Sequence, residues 1–149
     1  MHTEPHRPTG LAHLSLAVAD AEAVAARYQA ILGAVVHSRE TLPDRGLRVV
    51  FLDVAGVPLE LVQPLDAEDA ANPVARFLRK HGEGIHHLAF AVPDAAAALA
   101  HARAAGAVAV DEAPRPGAHG TRVAFLHPRS TAGVLVEFVE GDDRPAGGR

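Results

Sequence analysis

The chain has 149 residues, no Cys, ten His and a formal net charge of −4, with five Phe and one Tyr as its aromatic complement. Its length suits one domain or two tightly joined half-domains without disulfide staples. The acidic balance and the lack of a concentrated Lys/Arg run exclude nucleic acid as the expected partner. No run reaches the roughly 18 apolar residues that span a bilayer, and Met1 to Gly10 lack the apolar stretch of a signal peptide, so a soluble cytoplasmic protein acting on a small molecule is expected. Without thiolates, any metal is held by nitrogen and oxygen.

In chain order, Leu14, Leu16 and Val18 alternate with His13, Ser15 and Ala17, the period of a strand with one bulky and one small face. Asp20 caps a predicted helix in which Val24, Tyr28, Ile31 and Leu32 form an apolar stripe, and Gly33 stops it. Strands are predicted over Ala34 to Ser38, Leu47 to Val54 and Pro58 to Val62. Asn72-Pro73 opens a connecting helix over about 72–82, with Val74, Phe77 and Leu78 inward and Gly82 as its stop. The pattern then repeats. His87, Ala89 and Ala91 form a small face, Leu88, Phe90 and Val92 a bulky one, Asp94 caps an Ala-rich helix around Leu99, and Gly106 ends it. Strands are predicted at Ala107 to Val110, Arg122 to Leu126 and Val134 to Val139.

The repetition is literal. His13 to Asp20 (HLSLAVAD) returns as His87 to Asp94 (HLAFAVPD), and Gly56 to Val62 (GVPLELV) returns as Gly133 to Val139 (GVLVEFV). Each copy thus supplies a strand His and a strand Glu, at offsets of 60 − 13 = 47 and 137 − 87 = 50. The predicted fold is α+β, two tandem βαβββ modules whose eight strands form a curled sheet with the small faces inside a cup. One domain over 9–140 is expected, with module 1 at about 9–65, module 2 at about 84–140 and a disordered tail over 141–149.

A lone strand His or Glu is most often a surface or hydrogen-bonded residue, and it is recurrence at matching offsets that lifts His13, His87, Glu60 and Glu137 above that reading. Two imidazoles with one or two carboxylates make a site for Co, Mn, Ni, Fe or Zn with positions open for water or substrate. The same set serves non-haem iron oxygenases, so it does not fix the reaction. His86 must face the other side of its strand and reads as structural. His2, His6, His37, His81 and His101 read as solvated. His119 and Gly120 lie in a loop rich in Gly and Pro, either a tight turn or a substrate-contacting rim. His127 to Gly133 is likewise a hairpin loop or a pocket rim.

The two His strands, the Glu strands and the segments GEGIHHLAF, EAPRPGAHG and FLHPRSTAGVLVE resemble the methylmalonyl-CoA epimerases of the vicinal oxygen chelate (glyoxalase-fold) superfamily, over residues 9–140. The resemblance implies metal ligands at His13, His87 and Glu137, with Glu60 as a fourth, a divalent ion with cobalt favoured, methylmalonyl-CoA as substrate, and a homodimer. Some members carry a further catalytic Glu in the strand region after the first helix; the stretch Gly46 to Val50 offers no carboxylate for it. Epimerisation needs the thioester enolate stabilised by a Lewis acid and two acid–base groups on opposite faces of C2, a role that suits Glu60 and Glu137. A glyoxalase I-type lyase or an extradiol-type dioxygenase would use the same ligands, and a non-enzymatic small-molecule binder of this fold would need none of them. Arg45, Arg48, Arg115, Arg122 and Arg129, in or beside loops, are candidates for contacts to CoA phosphates or are simply solvated cations.

Overall fold

A computed structural model describes residues 4–142, in two compact units that divide the chain inside two of its strands. The expected succession is present: β1 (Gly10–Ala17), α1 (Ala21–Leu32), β2 (Val35–Leu42), β3 (Leu47–Val54) and β4 (Val57–Pro64), then α2 (Pro73–His81), then β5 (Gly84–Val92), α3 (Ala95–Ala104), β6 (Arg115–Pro116), β7 (Arg122–Leu126) and β8 (Val136–Glu140). Residues 143–149 of the predicted tail lie outside the described residues.

The unit His13–His86 holds the order β2-β3-β4-β1, with β1 parallel to β4 and the other neighbours antiparallel. The β3–β4 hairpin turns on Ala55 and Gly56, both at positive φ (51° and 83°), the backbone a two-residue hairpin requires. Asp20 caps α1 by accepting from the Ala23 amide at 3.1 Å, and Gly33 ends it at φ 66°. Leu14, Leu16, Val50, Leu52, Leu59 and Leu61 face α1 through Ala21, Ala25, Val24 and Tyr28. Ile31 and Leu32, expected in that stripe, are 60% and 52% exposed. Contact is made through Ala21 and Ala25, small enough to lie close on the sheet, which leaves the last helical turn in solvent. Asn72 caps α2 by accepting from the amides of Val74 and Ala75, and donates to the carbonyl of Gly46 at 3.0 Å.

Outside β2 and β3, Glu22 of α1 accepts from Arg39 and Arg48 at 2.6 and 2.7 Å. The two guanidiniums, Arg39 first, hold its carboxyl below the ordinary carboxylate range. A depressed folded-state value contributes stability above the unfolded value of about 4.3 that is lost as pH falls through the folded one. Because the groups are largely exposed, salt screens the effect. Denaturant midpoints of wild type and Glu22→Gln are therefore expected to differ at pH 7 in low salt, and to converge both as pH falls through the depressed folded-state value and in molar salt.

In the second unit, residues 4–12 and 87–142, β5 runs parallel to β8, and β8-β7-β6 continues antiparallel. Thr9 donates its amide to the Ala91 carbonyl at 2.8 Å, which ties the leading segment to β5. Asp94 caps α3 through the Ala97 amide at 3.1 Å. Val92, Ala95, Ala98, Leu99, Ala124, Leu126 and Phe138 pack beneath α3. On the other face lie Ala12, Ala89, Val123 and Val139, the small-residue side read from the repeat.

The strand predicted at Ala107 to Val110 does not form: only an isolated bridge, Ala109 to Leu126, is present, and the strand beside β7 is β6. The Phe125 amide, after the bridge, is taken by the Asp111 carboxylate at 2.8 Å instead of by backbone, and Pro114 and Pro116 supply no amide to extend a ladder. β8 starts at Val136 rather than Val134, whose amide closes the preceding turn on Thr131. In the loop before β7, a Cβ on Gly117 would come within 2.6 Å of Val123 Cγ1 and would strike Thr121 Oγ1. Gly117→Ala is expected to lower stability by about 1–3 kcal/mol through overpacking, measured as a shift in urea midpoint with unchanged slope.

Candidate metal centre

Alternation on β1 sends Leu14 and Leu16 to α1 and leaves His13, Ser15 and Ala17 on the opposite face, all three buried. The parallel register of β1 with β4 sets Ser15 opposite Glu60. Glu60 is consequently gripped from two sides: Ser15 Oγ donates to Oε1 at 3.4 Å, and His13 Nε2 stands 3.5 Å from Oε2. Ser15 is fully buried, and His13 and Glu60 are 4% and 8% exposed.

The same construction recurs in the other unit. There the parallel register of β5 with β8 sets Ala89 opposite Glu137, and His87, two residues before Ala89, brings its Nε2 to 3.2 Å from Glu137 Oε1. Both residues are buried. Phe125 meets the His87 ring edge-on at 5.3 Å, and Arg115 lies over the Phe125 ring at 5.5 Å while donating to Asp111 at 3.1 Å.

Each unit thus offers a buried imidazole beside a buried carboxylate, His13 with Glu60 in one and His87 with Glu137 in the other. Burying a carboxylate against an imidazole costs several kcal/mol in lost hydration unless a proton or a cation sits between them. Two imidazole nitrogens and hard carboxylate oxygens without sulfur fit a divalent first-row ion and do not fit a closed thiolate zinc site.

The remaining candidates divide. His119 is exposed at φ 55° with Gly120 at φ 74°, so the loop turns through two consecutive left-handed residues, a conformation that Gly takes readily and His rarely. His127 is structural: its Nδ1 accepts the Arg129 amide at 3.1 Å. His86 packs edge-on against Phe77 at 5.0 Å, as its opposite facing required. Four histidines read as solvated have partners: His37 bonds to Asp53, His6 and His101 stack on each other at 3.8 Å, and His81 lies against Phe77 at 4.9 Å. Among the loop arginines, Arg48 is engaged by Glu22, Arg115 by Asp111 and Arg122 by Glu140 at 3.6 Å. The stretch Gly46 to Val50 opens β3, and the neighbouring β2 supplies a carboxylate the sequence reading passed over: Glu40 is half-buried and pairs in register with Val49, on the face that carries Glu60. Its alternation with Ser38 was the available signal, obscured by the bulge between Val36 and Ser38.

A family profile described as the glyoxalase/bleomycin resistance protein/dioxygenase superfamily matches residues 12–125. The chain is 41% identical over 130 residues to the ethylmalonyl-CoA/methylmalonyl-CoA epimerase of Cereibacter sphaeroides, covering 86% of this chain and 95% of that relative. Among solved structures, methylmalonyl-CoA epimerase from Mycobacterium tuberculosis superposes with a TM-score of 0.82 at 36% identity, covering 94% of this chain and 92% of that one. A methylmalonyl-CoA epimerase in complex with methylmalonyl-CoA and ammonium superposes with a TM-score of 0.80 at 33% identity, over 93% of this chain and all of the other.

Proposed function

The chain belongs to the glyoxalase/bleomycin resistance protein/dioxygenase superfamily, and within it to the methylmalonyl-CoA epimerases, and on that footing we propose that it interconverts (R)- and (S)-methylmalonyl-CoA by moving the proton at C2. The observation that carries the reading is the buried pair of His–Glu contacts, one from each repeat, in a chain that matches 95% of the length of an ethylmalonyl-CoA/methylmalonyl-CoA epimerase.

His13, His87 and Glu137, with Glu60 as fourth ligand, would hold a divalent ion, for which Co, Mn, Ni or Zn are suited and Co is favoured. Bound there, the ion supplies Lewis-acid stabilisation of the negative charge that develops on the thioester oxygen. The protein's own part is proton traffic. One of Glu60 and Glu137 accepts the C2 proton as the C–H bond breaks, its electron pair passing into the enolate. The other, protonated, returns a proton to C2 from the opposite face. Their positions in two related repeats suit them to opposite faces of one carbon. Burial of both carboxylates keeps water from competing for that proton. His119 and Gly120 would touch the substrate from their loop.

The reading carries with it a cytoplasmic homodimer. No helix among the described residues is long and apolar enough to cross a membrane. The test is to strip the protein with a chelator, restore Co²⁺ and follow inversion by a coupled enantiomer-specific assay, with light scattering on the same sample. About one ion per chain, inversion that vanishes and returns with the metal, and twice the chain mass are expected. Full inversion in the metal-free protein would overturn the proposed ligand role.

A further inference from the structure

A third stretch of sequence recurs. Val49 to Leu52 (VVFL) returns as Val123 to Leu126 (VAFL), and the Phe of each copy pairs in register with the Glu of the neighbouring strand, Phe51 with Glu60 and Phe125 with Glu137. Each repeat therefore supplies a ring beside its buried carboxylate as regularly as it supplies the His. In the second unit the use of that ring is visible. Phe125 lies half-buried on the face that carries Ala89, Val123 and Val139, and reaches over β8 to the His87 imidazole, with ring centroids 5.3 Å apart and planes at 86°. That is an edge-to-face arrangement of the kind aromatic pairs prefer, so turning either ring costs contact. Phe125 is itself held by one side chain at both its amide and its ring. Asp111 accepts the Phe125 amide through Oδ2 at 2.8 Å, and through Oδ1 accepts at 3.1 Å from Arg115, whose guanidinium lies over the Phe125 ring at 5.5 Å. Arg103 of α3 braces this loop in turn by donating to the carbonyls of Asp111 and Glu112 at 3.0 and 2.8 Å. A chain of contacts thus runs from α3 through Asp111 and Phe125 to His87, whose Nε2 stands 3.2 Å from Glu137 Oε1.

We propose that Phe125 is a positioning residue that fixes the plane of the His87 imidazole, so that Nε2 keeps one direction before any ion arrives. The inference rests on the ligand role proposed for His87; Phe125 itself donates nothing to the ion. An imidazole that turns freely offers its nitrogen in many directions, and that freedom has to be surrendered when the ion binds. A ring already held by a neighbour has lost the freedom on folding, so less is lost on binding. Phe125 therefore raises metal affinity without supplying a ligand. A packing role alone has a different consequence: removing the ring would change stability and leave the imidazole as ordered as before.

The experiment compares wild type with Phe125→Leu, which removes the ring and keeps an apolar side chain, and with Phe125→Tyr, which keeps the ring. Carbon-13 relaxation of the His87 ring is measured on the metal-free proteins, its signal identified by its absence in His87→Gln, and the same samples are then titrated with Co²⁺. In metal-free wild type the His87 ring should be as ordered as the backbone of its strand. Phe125→Leu should mobilise that ring and weaken Co²⁺ binding about tenfold, the upper end for one aromatic pair, while Phe125→Tyr should match wild type in ring order and, within about threefold, in affinity. A His87 ring already mobile in metal-free wild type overturns the proposal, and that result needs no variant to fold. So does a folded Phe125→Leu whose His87 ring stays ordered, or whose ring is mobile while its Co²⁺ affinity is unchanged. Mobility in Phe125→Tyr equal to that in Phe125→Leu overturns it as well. If wild type binds no Co²⁺, it is the ligand reading of His87 that fails, and ring order in the metal-free proteins still decides whether Phe125 positions the imidazole.

Discussion

Replacing His87 by alanine is expected to lower kcat/KM for epimerisation by about a thousandfold or more, and His13→Ala should do the same. Lewis-acid stabilisation of the developing enolate contributes several kcal/mol, and each 1.4 kcal/mol is tenfold in rate. Each imidazole is buried against a carboxylate, His13 beside Glu60 and His87 beside Glu137, so its removal takes away a ligand and strands a buried charge. Metal affinity should therefore fall by more than the ten- to hundredfold typical of losing an outer hydrogen-bond partner of a ligand. Titration of apo protein with Co²⁺ and steady-state inversion assays measure the two effects. Equal activity at saturating metal in His87→Ala would mean that the imidazole is not part of the machinery. His86→Ala, which loses the edge contact with Phe77 and none of the proposed ligands, is the control and should retain inversion.

The second large effect is a separation of exchange from inversion. Glu137→Gln keeps the shape of the side chain and removes its ability to take a proton, so inversion should drop by about 10²–10⁴, the range for losing a general acid or base. Exchange of the C2 proton with solvent should persist from the one epimer whose proton the remaining carboxylate reaches. Glu60→Gln should give the mirror result, with the other epimer exchanging. Loss of exchange from both epimers in either variant would make that Glu a ligand only. Inversion that survives Glu60→Gln would move the second acid to Glu40, the carboxylate on the same sheet face two strands away.

Much of this was legible before any coordinates. The caps Asp20, Asn72 and Asp94 declare themselves, because a short acceptor side chain before an apolar stripe satisfies amides that a helix start leaves open. The small faces of β1 and β5 followed from alternation, and the His and Glu pairs from the repeat. What escaped was non-local. Ile31 and Leu32 have the spacing of a buried stripe, and only the close approach of Ala21 and Ala25 to the sheet leaves them outside. The run Ala107 to Val110 has strand composition, but whether it pairs is decided by Asp111, whose carboxylate takes the Phe125 amide. The Ser15–Glu60 bond joins residues 45 apart in sequence and depends on the parallel register of β1 with β4, which no local pattern encodes.

The central claim is most directly tested by proton NMR of methylmalonyl-CoA in D2O, first with metal-stripped protein and then with Co²⁺ restored, reading the C2 proton and the product's configuration together. The account predicts no loss of the C2 signal without metal, and metal-dependent exchange accompanied by inversion once it is returned. Tight Co²⁺ binding with the C2 proton untouched would contradict it.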